Sequence, residues 1–305
     1  MHTLFRLDDR SLLRLQGEGV FPLLKRLLCG DVRALQNEKM LFSPMLNLQG
    51  GTMDVVFVLR EPEDCFWMIV HENSREKDLR HIRKHLEANA DVQDCAEAYQ
   101  LYALLGPDAE RLMESAPVFF KMQTSQMGAE SWLACVLREE VETFETDMAQ
   151  RGVMLHSHSE LDMLMMESGV AAYGRELDDT INPLEAGLGR YVRLERSGFV
   201  GREALVAAGE PRRGVIGLEV ERYGARHGQN VVHRDKDVGM VTSACYSDRL
   251  KKHIALALVE KPYQDVGRKL KVECGDELIT AHVSALPFKA GEAEQDGEAT
   301  EEIKI

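Results

Sequence analysis

The 305-residue sequence predicts a mixed helix-and-strand chain that closes on a small all-strand unit. Two observations carry this. Apolar residues recur at strand and helix spacings in alternation as far as about Ala208, and beyond Gly214 nearly every periodic segment reads as a short strand. Between them, Ala207-Ala208-Gly209-Glu210-Pro211-Arg212-Arg213-Gly214 has the small residues, proline and glycines of a linker.

The elements follow in order. Leu13 and Leu15 alternate with Arg14 and Gln16 and close on Gly17, as a strand does. Phe21, Leu24, Leu27 and Leu28 fall at helical intervals and stop at Cys29-Gly30. Leu41 to Leu48 and Asp54 to Leu59 flank Gly50-Gly51 and predict a hairpin. Cys65 to Val70 reads as a strand. Ser74 to Ala88 reads as a helix capped by Ser74, without a capping box because Lys77 is its third residue. A helix is expected from Asp108 and a strand over Trp132 to Leu137. Met163 to Gly174 is expected to be helical, and Leu188 to Leu194 to return to strand alternation. Strands are expected at Val215 to Val220, Gln229 to His233, Gly239 to Ser243, Ile254 to Val259, Lys269 to Val272 and Leu278 to Val283, the pattern of a small barrel or sandwich. From Ala290 the acidic, aromatic-free end reads as a disordered tail.

Composition narrows the function. Fifty-one acidic residues against 37 basic give a net charge of −14, which repels phosphate backbones and argues against a general nucleic-acid partner. No apolar run approaches the roughly 20 residues of a membrane helix, and the opening MHTLFRLDDRSLLRL lacks the order of a secretory signal. The six cysteines form no CxxC pair and read as reduced thiols of a cytoplasmic protein. His156 and His158 with Glu160 share the spacing of a metal pair on a strand face, but an exposed loop is the favoured reading and no metal is expected. Gly224 to Gly228 reads as a strand connection, and Met163, Met165 and Met166 as core packing.

A dispersed set of segments is more informative. It comprises Asn47 to Asp54, Arg75-Glu76-Lys77-Asp78-Leu79, Leu105-Gly106-Pro107, Glu167-Ser168-Gly169 with Tyr173-Gly174, and Asn182 to Leu188. Phe199 to Leu205, Gly239 to Ser243, Lys251 to Ala257 and Leu286-Pro287-Phe288 follow. In this order, from about Leu4 to Phe288, the set resembles the folate-binding aminomethyltransferase superfamily: the glycine cleavage T-protein and its YgfZ-like and demethylase relatives. The resemblance implies an α+β fold of two entwined folate-binding subdomains over residues 1–208, a C-terminal β-barrel over 214–289 and a three-lobed ring, with 290–305 as the tail. It further implies tetrahydrofolate as cofactor, 5,10-methylenetetrahydrofolate as product, and a lipoyl carrier protein as a partner beside the small-molecule folate.

The family's residues transfer unevenly. Its pterin-binding glutamate ends a loop-and-strand that is shortened here to Arg138-Glu139-Glu140-Val141-Glu142, and the apolar-Glu ending makes Glu145 the match, on a strand. A carboxylate suits the pterin because it accepts two parallel donors. T-proteins carry an Asp-Asp pair after the hairpin. This chain keeps the first as Asp54, a weak catalytic candidate facing away from the folate, and has Val55 at the second, where no proton can be handled. Leu161 and Met165 stand at family arginines, Phe42 at a tyrosine, and no tyrosine follows Phe288. The first forty-odd residues of T-proteins have no counterpart. Phe42, Glu167, Tyr173 and Arg202 are the remaining folate-binding candidates. The YgfZ-like signature places a reactive cysteine where this chain has Gly198. The resemblance therefore implies a T-protein-type one-carbon transferase with an altered donor. The alternatives are a non-catalytic folate-binding paralogue and a YgfZ-like iron–sulfur cluster maturation factor.

Overall fold

The computed structural model describes residues 2–35, 40–114 and 116–289; the acidic segment read as a tail lies outside them. From the N-terminus, β1 (Thr3–Arg6) opens one sheet and β2 (Arg10–Gln16) leaves it for a second. There follow α1 (Val20–Leu27), β3 (Met40–Leu46), β4 (Thr52–Glu61), β5 (Cys65–His71), α2 (Arg75–His85) and β6 (Asp91–Asp94). The chain then returns to the first sheet through β7 (Tyr99–Leu105), α3 (Ala109–Glu114), β8 (Phe120–Thr124), β9 (Ser131–Leu137), α4 (Val141–Gln150) and β10 (Met154–His156). Helices α5 (His158–Glu167) and α6 (Arg202–Ala208) precede β11 (Arg213–Val220), β12 (Asn230–His233), β13 (Lys236–Ser247), β14 (Lys252–Glu260), β15 (Lys269–Cys274) and β16 (Glu277–Ser284).

The first sheet is ordered β10-β1-β7-β9-β8 and the second β3-β4-β5-β2-β6. Because β1 belongs to one and β2 to the other, the two halves are entwined. Alternation along each strand decides what each face packs against. Phe57, Trp67 and Ile69 meet Phe5, Leu101 and Leu133 between the sheets. Val56, Val58 and Met68, on the opposite face, are covered by Leu24 of α1 and Leu79 of α2. Tyr102 and Val136 on the far side of the first sheet are covered by Phe144 and Met148 of α4. The result is a helix–sheet–sheet–helix stack.

The six last strands form a closed barrel in the order β11-β14-β13-β12-β15-β16, filled by residues such as Leu218, Val241, Ala257 and Val272. Closure leaves no unpaired edge. The strand reading of this region is borne out, and of the two architectures it allowed the barrel is the one formed.

Four readings differ. The helix expected over Met163 to Gly174 runs earlier, His158–Glu167, because Ser157 and Glu160 form a capping box that fixes its start. Leu188 to Leu194 holds a 3-10 turn, Gly189–Tyr191, in place of a strand. Glu145 lies in α4, since Val141, Phe144 and Met148 recur at helical spacing and pack on the sheet. Helix α2 ends at His85 rather than at Ala88. Among the described residues no helix is long and apolar enough to cross a membrane. All six cysteines are free.

Candidate functional site

The three lobes converge on the segment 171–191. The hairpin between β3 and β4 anchors it. Asn47 accepts from the N–H groups of Gln49 and Gly51 at 2.9 and 3.0 Å, and donates to the Asp179 carbonyl at 2.8 Å. Gly51 passes so close to that carbonyl that a Cβ would stand 1.8 Å from it, so only glycine fits. Thr52 completes the link, its hydroxyl donating to the Ile181 carbonyl at 2.8 Å.

At the junction Val55 of β4 is buried among Leu177, Ile181, Ala186, Leu188 and Leu258, with Phe42, Tyr173 and Tyr191 packed on the cluster. Phe42 meets Tyr191 edge-on at 4.8 Å between ring centres and Phe57 at 5.1 Å. Outside these rings opens a cleft of about 430 Å³ walled by Phe42 and Tyr191 and rimmed by Gln123, Gln126 and Glu130. Gln126 is nearly buried and donates its amide N–H to the Tyr191 hydroxyl.

Behind Tyr173 lies a buried polar cluster. Asp54, wholly buried, accepts from the backbone N–H groups of Val55 at 2.7 Å and His71 at 2.9 Å, and from the His71 ring. Burial opposes its charge, but His71 and these donors outweigh that and hold its carboxyl below the usual range. Burial, with Arg10 nearby, pushes His71 below its ordinary value, and its Nδ1 faces the Asp54 carboxyl. Asp78 faces Asp54 and is also wholly buried, with neither oxygen paired at hydrogen-bond geometry. Burial, and then the Asp54 charge, push Asp78 up to about 10. The two carboxyls therefore share one proton at neutral pH, with Asp78 the more basic of the two. Next along α2, Lys77 donates to the Tyr173 hydroxyl and to Asp179 at 3.0 Å. Tyr173 in turn lies 5.3 Å from the His71 ring.

Comparison with known proteins agrees with this architecture. The profile of the GCVT N-terminal domain matches residues 4–132, and that of the glycine cleavage T-protein C-terminal barrel domain matches 213–289. Together they span about two thirds of the chain. The chain belongs to the glycine cleavage T-protein superfamily. An aminomethyltransferase of Geobacillus thermodenitrificans is 29% identical over 315 residues, covering 93% of this chain and 86% of that protein. One from Listeria welshimeri is also 29% identical, with the same coverage. The crystal structure of glycine cleavage system aminomethyltransferase T from Bartonella henselae superposes with a TM-score of 0.86 at 19% identity, over 95% of this chain and 86% of that one, and shares the fold.

Set against the T-protein pattern, the six residues singled out in the sequence separate. Phe42 and Tyr173 both pack on the junction, and Asp54 sits behind Tyr173 with its side chain on the β4 face opposite Val55. Glu145 does not reach the junction: it accepts from Arg6 and from the Tyr102 hydroxyl at 2.7 Å, on the α4 side of its sheet. With β9 running through one 3-10 turn into α4, the strand that was to carry this glutamate is absent. Glu167 is a clasp between lobes: buried, it accepts from Ser247 and from Arg249 at 2.6 Å, while its backbone oxygen takes the Phe288 N–H. Arg202 donates to the Leu194 carbonyl at 2.9 Å and to Glu203 at 2.7 Å, on the far side of the hairpin. Leu161 and Met165 are buried between the sheets. His156 bonds Glu160 at 3.0 Å, and His158 lies 3.7 Å from Asp9 and from Asp162, so the two histidines face different carboxylates. Among the described residues no cluster suits a metal ion. Sequence reasoning missed His71, Gln126 and Tyr191. His71 had a signal, a polar residue ending the apolar run Cys65 to Val70.

Proposed function

We propose that the protein binds a reduced folate, tetrahydrofolate, in the cleft at Phe42 and Tyr191, and acts as a one-carbon transferase of the aminomethyltransferase type that works by positioning. The cleft itself carries this reading, because two aromatic walls and a polar rim suit a flat heteroaromatic ligand. Phe42 and Tyr191 would hold the ring faces. Gln126 and Glu130 would take its N–H edge, a carboxylate being able to accept two parallel donors. Tetrahydrofolate would supply the nitrogens that take up the one-carbon unit. The donor is an aminomethyl or methyl amine, and the resemblance to glycine cleavage T-proteins supports a lipoyl carrier as the protein that presents it. The free thiols support a cytoplasmic setting.

Val55 limits the chemistry. Packed among Leu177, Ile181 and Leu258, it offers no group that accepts a proton from an amine or stabilises a cation. The same residue, with Leu161 and Met165, favours a second reading in which the folate site is kept without catalysis. Ammonia release from aminomethylated lipoyl carrier plus tetrahydrofolate separates the two. Turnover about 10²–10⁴-fold below a T-protein assayed alongside supports slow, positional transfer, the deficit matching one lost acid–base group. Turnover indistinguishable from the enzyme-free rate supports the binding role. Turnover equal to the T-protein's contradicts both.

A further inference from the structure

On the far side of the hairpin, α1, the 3-10 turn at Val32–Ala34 and the segment 193–204 enclose a groove of about 880 Å³. The chain carries a net charge of −14, yet six cations line this groove against three carboxylates. Two of those carboxylates are committed. Asp31 holds Arg33 through bonds of 2.8 and 2.9 Å, and Glu203 holds Arg202 at 2.7 Å. Among the described residues four of the six cations keep no carboxylate, and one of these, Arg196, is committed to backbone carbonyls. Among the described residues Arg193 reaches only the Arg190 carbonyl, at 2.9 Å, and Lys25 lies over the Phe21 ring at 4.6 Å. Arg26 makes no side-chain hydrogen bond or ion pair with any described residue. The helix dipole accounts for basic residues in the last turn of α1, but not for Arg193 across the groove.

The walls are fixed before any ligand arrives. Arg196 runs beneath the groove, donates to the carbonyls of Lys25 and Leu28, and stacks on Phe199 at 5.0 Å. The Val200 N–H bonds the Arg26 carbonyl at 2.8 Å, tying the two sides together. Leu48, 69% exposed, stands on the rim as an apolar contact. A pocket of this volume takes a compact molecule, and guanidinium forks match the oxygens of phosphate or carboxylate in pairs.

We propose that this groove binds a small organic polyanion, one that clusters phosphates or carboxylates on a compact body and is held by Lys25, Arg26 and Arg193. It is separate from the folate cleft and shares no lining residue with it. Calorimetric titration of the full chain with inorganic tripolyphosphate, and separately with citrate, at 50 and 300 mM NaCl tests this. Saturable one-site binding of at least one probe is expected, weakening at the higher salt, and the stronger arm tells phosphate from carboxylate. The double variant Arg26→Ala/Arg193→Ala should weaken it at least tenfold, and Arg26→Lys/Arg193→Lys should recover part of the loss. Both residues are exposed, so the variants should melt with the wild type. No saturable binding of either probe at 50 mM NaCl, or equal affinity in the alanine variant, overturns the proposal.

Discussion

Replacing Asp78 with asparagine is expected to stabilise the fold, by an amount that grows with pH. Asp78 is wholly buried and pushed up to about 10, whereas in the unfolded chain its pKa lies at about 3.9. The folded state therefore binds the proton more tightly. Its contribution is fully present below about pH 4 and is lost as pH rises towards 10, at about 1.4 kcal/mol per unit. By pH 7, roughly three units above the unfolded value, folding has lost about 4 kcal/mol relative to pH 4. Asparagine has nearly the same shape, carries no charge and can donate to Asp54, so Asp78→Asn removes that loss. Allowing for imperfect packing, a gain of about 2–4 kcal/mol is expected at pH 7 and none at pH 4. Denaturant unfolding followed by circular dichroism at pH 5, 7 and 9 measures it. The wild-type midpoint should fall with pH more steeply than the variant's. A variant less stable than wild type at pH 9, or with the same slope, would show that Asp78 is ionised in the fold.

Glu145→Ala should cost about 1–3 kcal/mol, because the buried Tyr102 hydroxyl and Arg6 lose their acceptor. It should leave tetrahydrofolate affinity unchanged; a weakened dissociation constant would return Glu145 to the folate site. Val55→Asp puts a carboxyl among Leu177, Ile181 and Leu258 and should destabilise the chain by about 2–4 kcal/mol in thermal or denaturant melts, while raising ammonia release in the lipoyl-carrier assay. Unchanged stability would mean that the junction around Val55 is open to water.

The barrel was readable because short apolar, strand-forming runs recur at near-regular spacing and glycines mark the turns, so local pattern and tertiary packing agree. Helix α5 was misplaced because the methionine run drew attention downstream of the Ser157–Glu160 capping box, the signal that sets its start. Glu145 shows a different limit. An apolar residue beside a glutamate suits strand and helix alike, and only the wider spacing of Val141, Phe144 and Met148 separates the two. Phe42 and Tyr173 could be picked out through the family resemblance. The Asp54–His71–Asp78 cluster could not, since a strand, the next strand's end and a helix bring its members together only in the fold. Tyr191 was hidden in a segment whose alternation read as a strand but which folds as a 3-10 turn.

Anaerobic calorimetric titration of the full chain with tetrahydrofolate, in wild type and in Phe42→Ala, tests the central claim most directly. One saturable site is expected. Phe42→Ala should weaken it about tenfold or more, equivalent to about 1.4 kcal/mol or more, because the substitution removes one aromatic wall of the cleft. Absence of saturable binding, or a Phe42→Ala affinity equal to that of the wild type, would contradict a folate site at this junction.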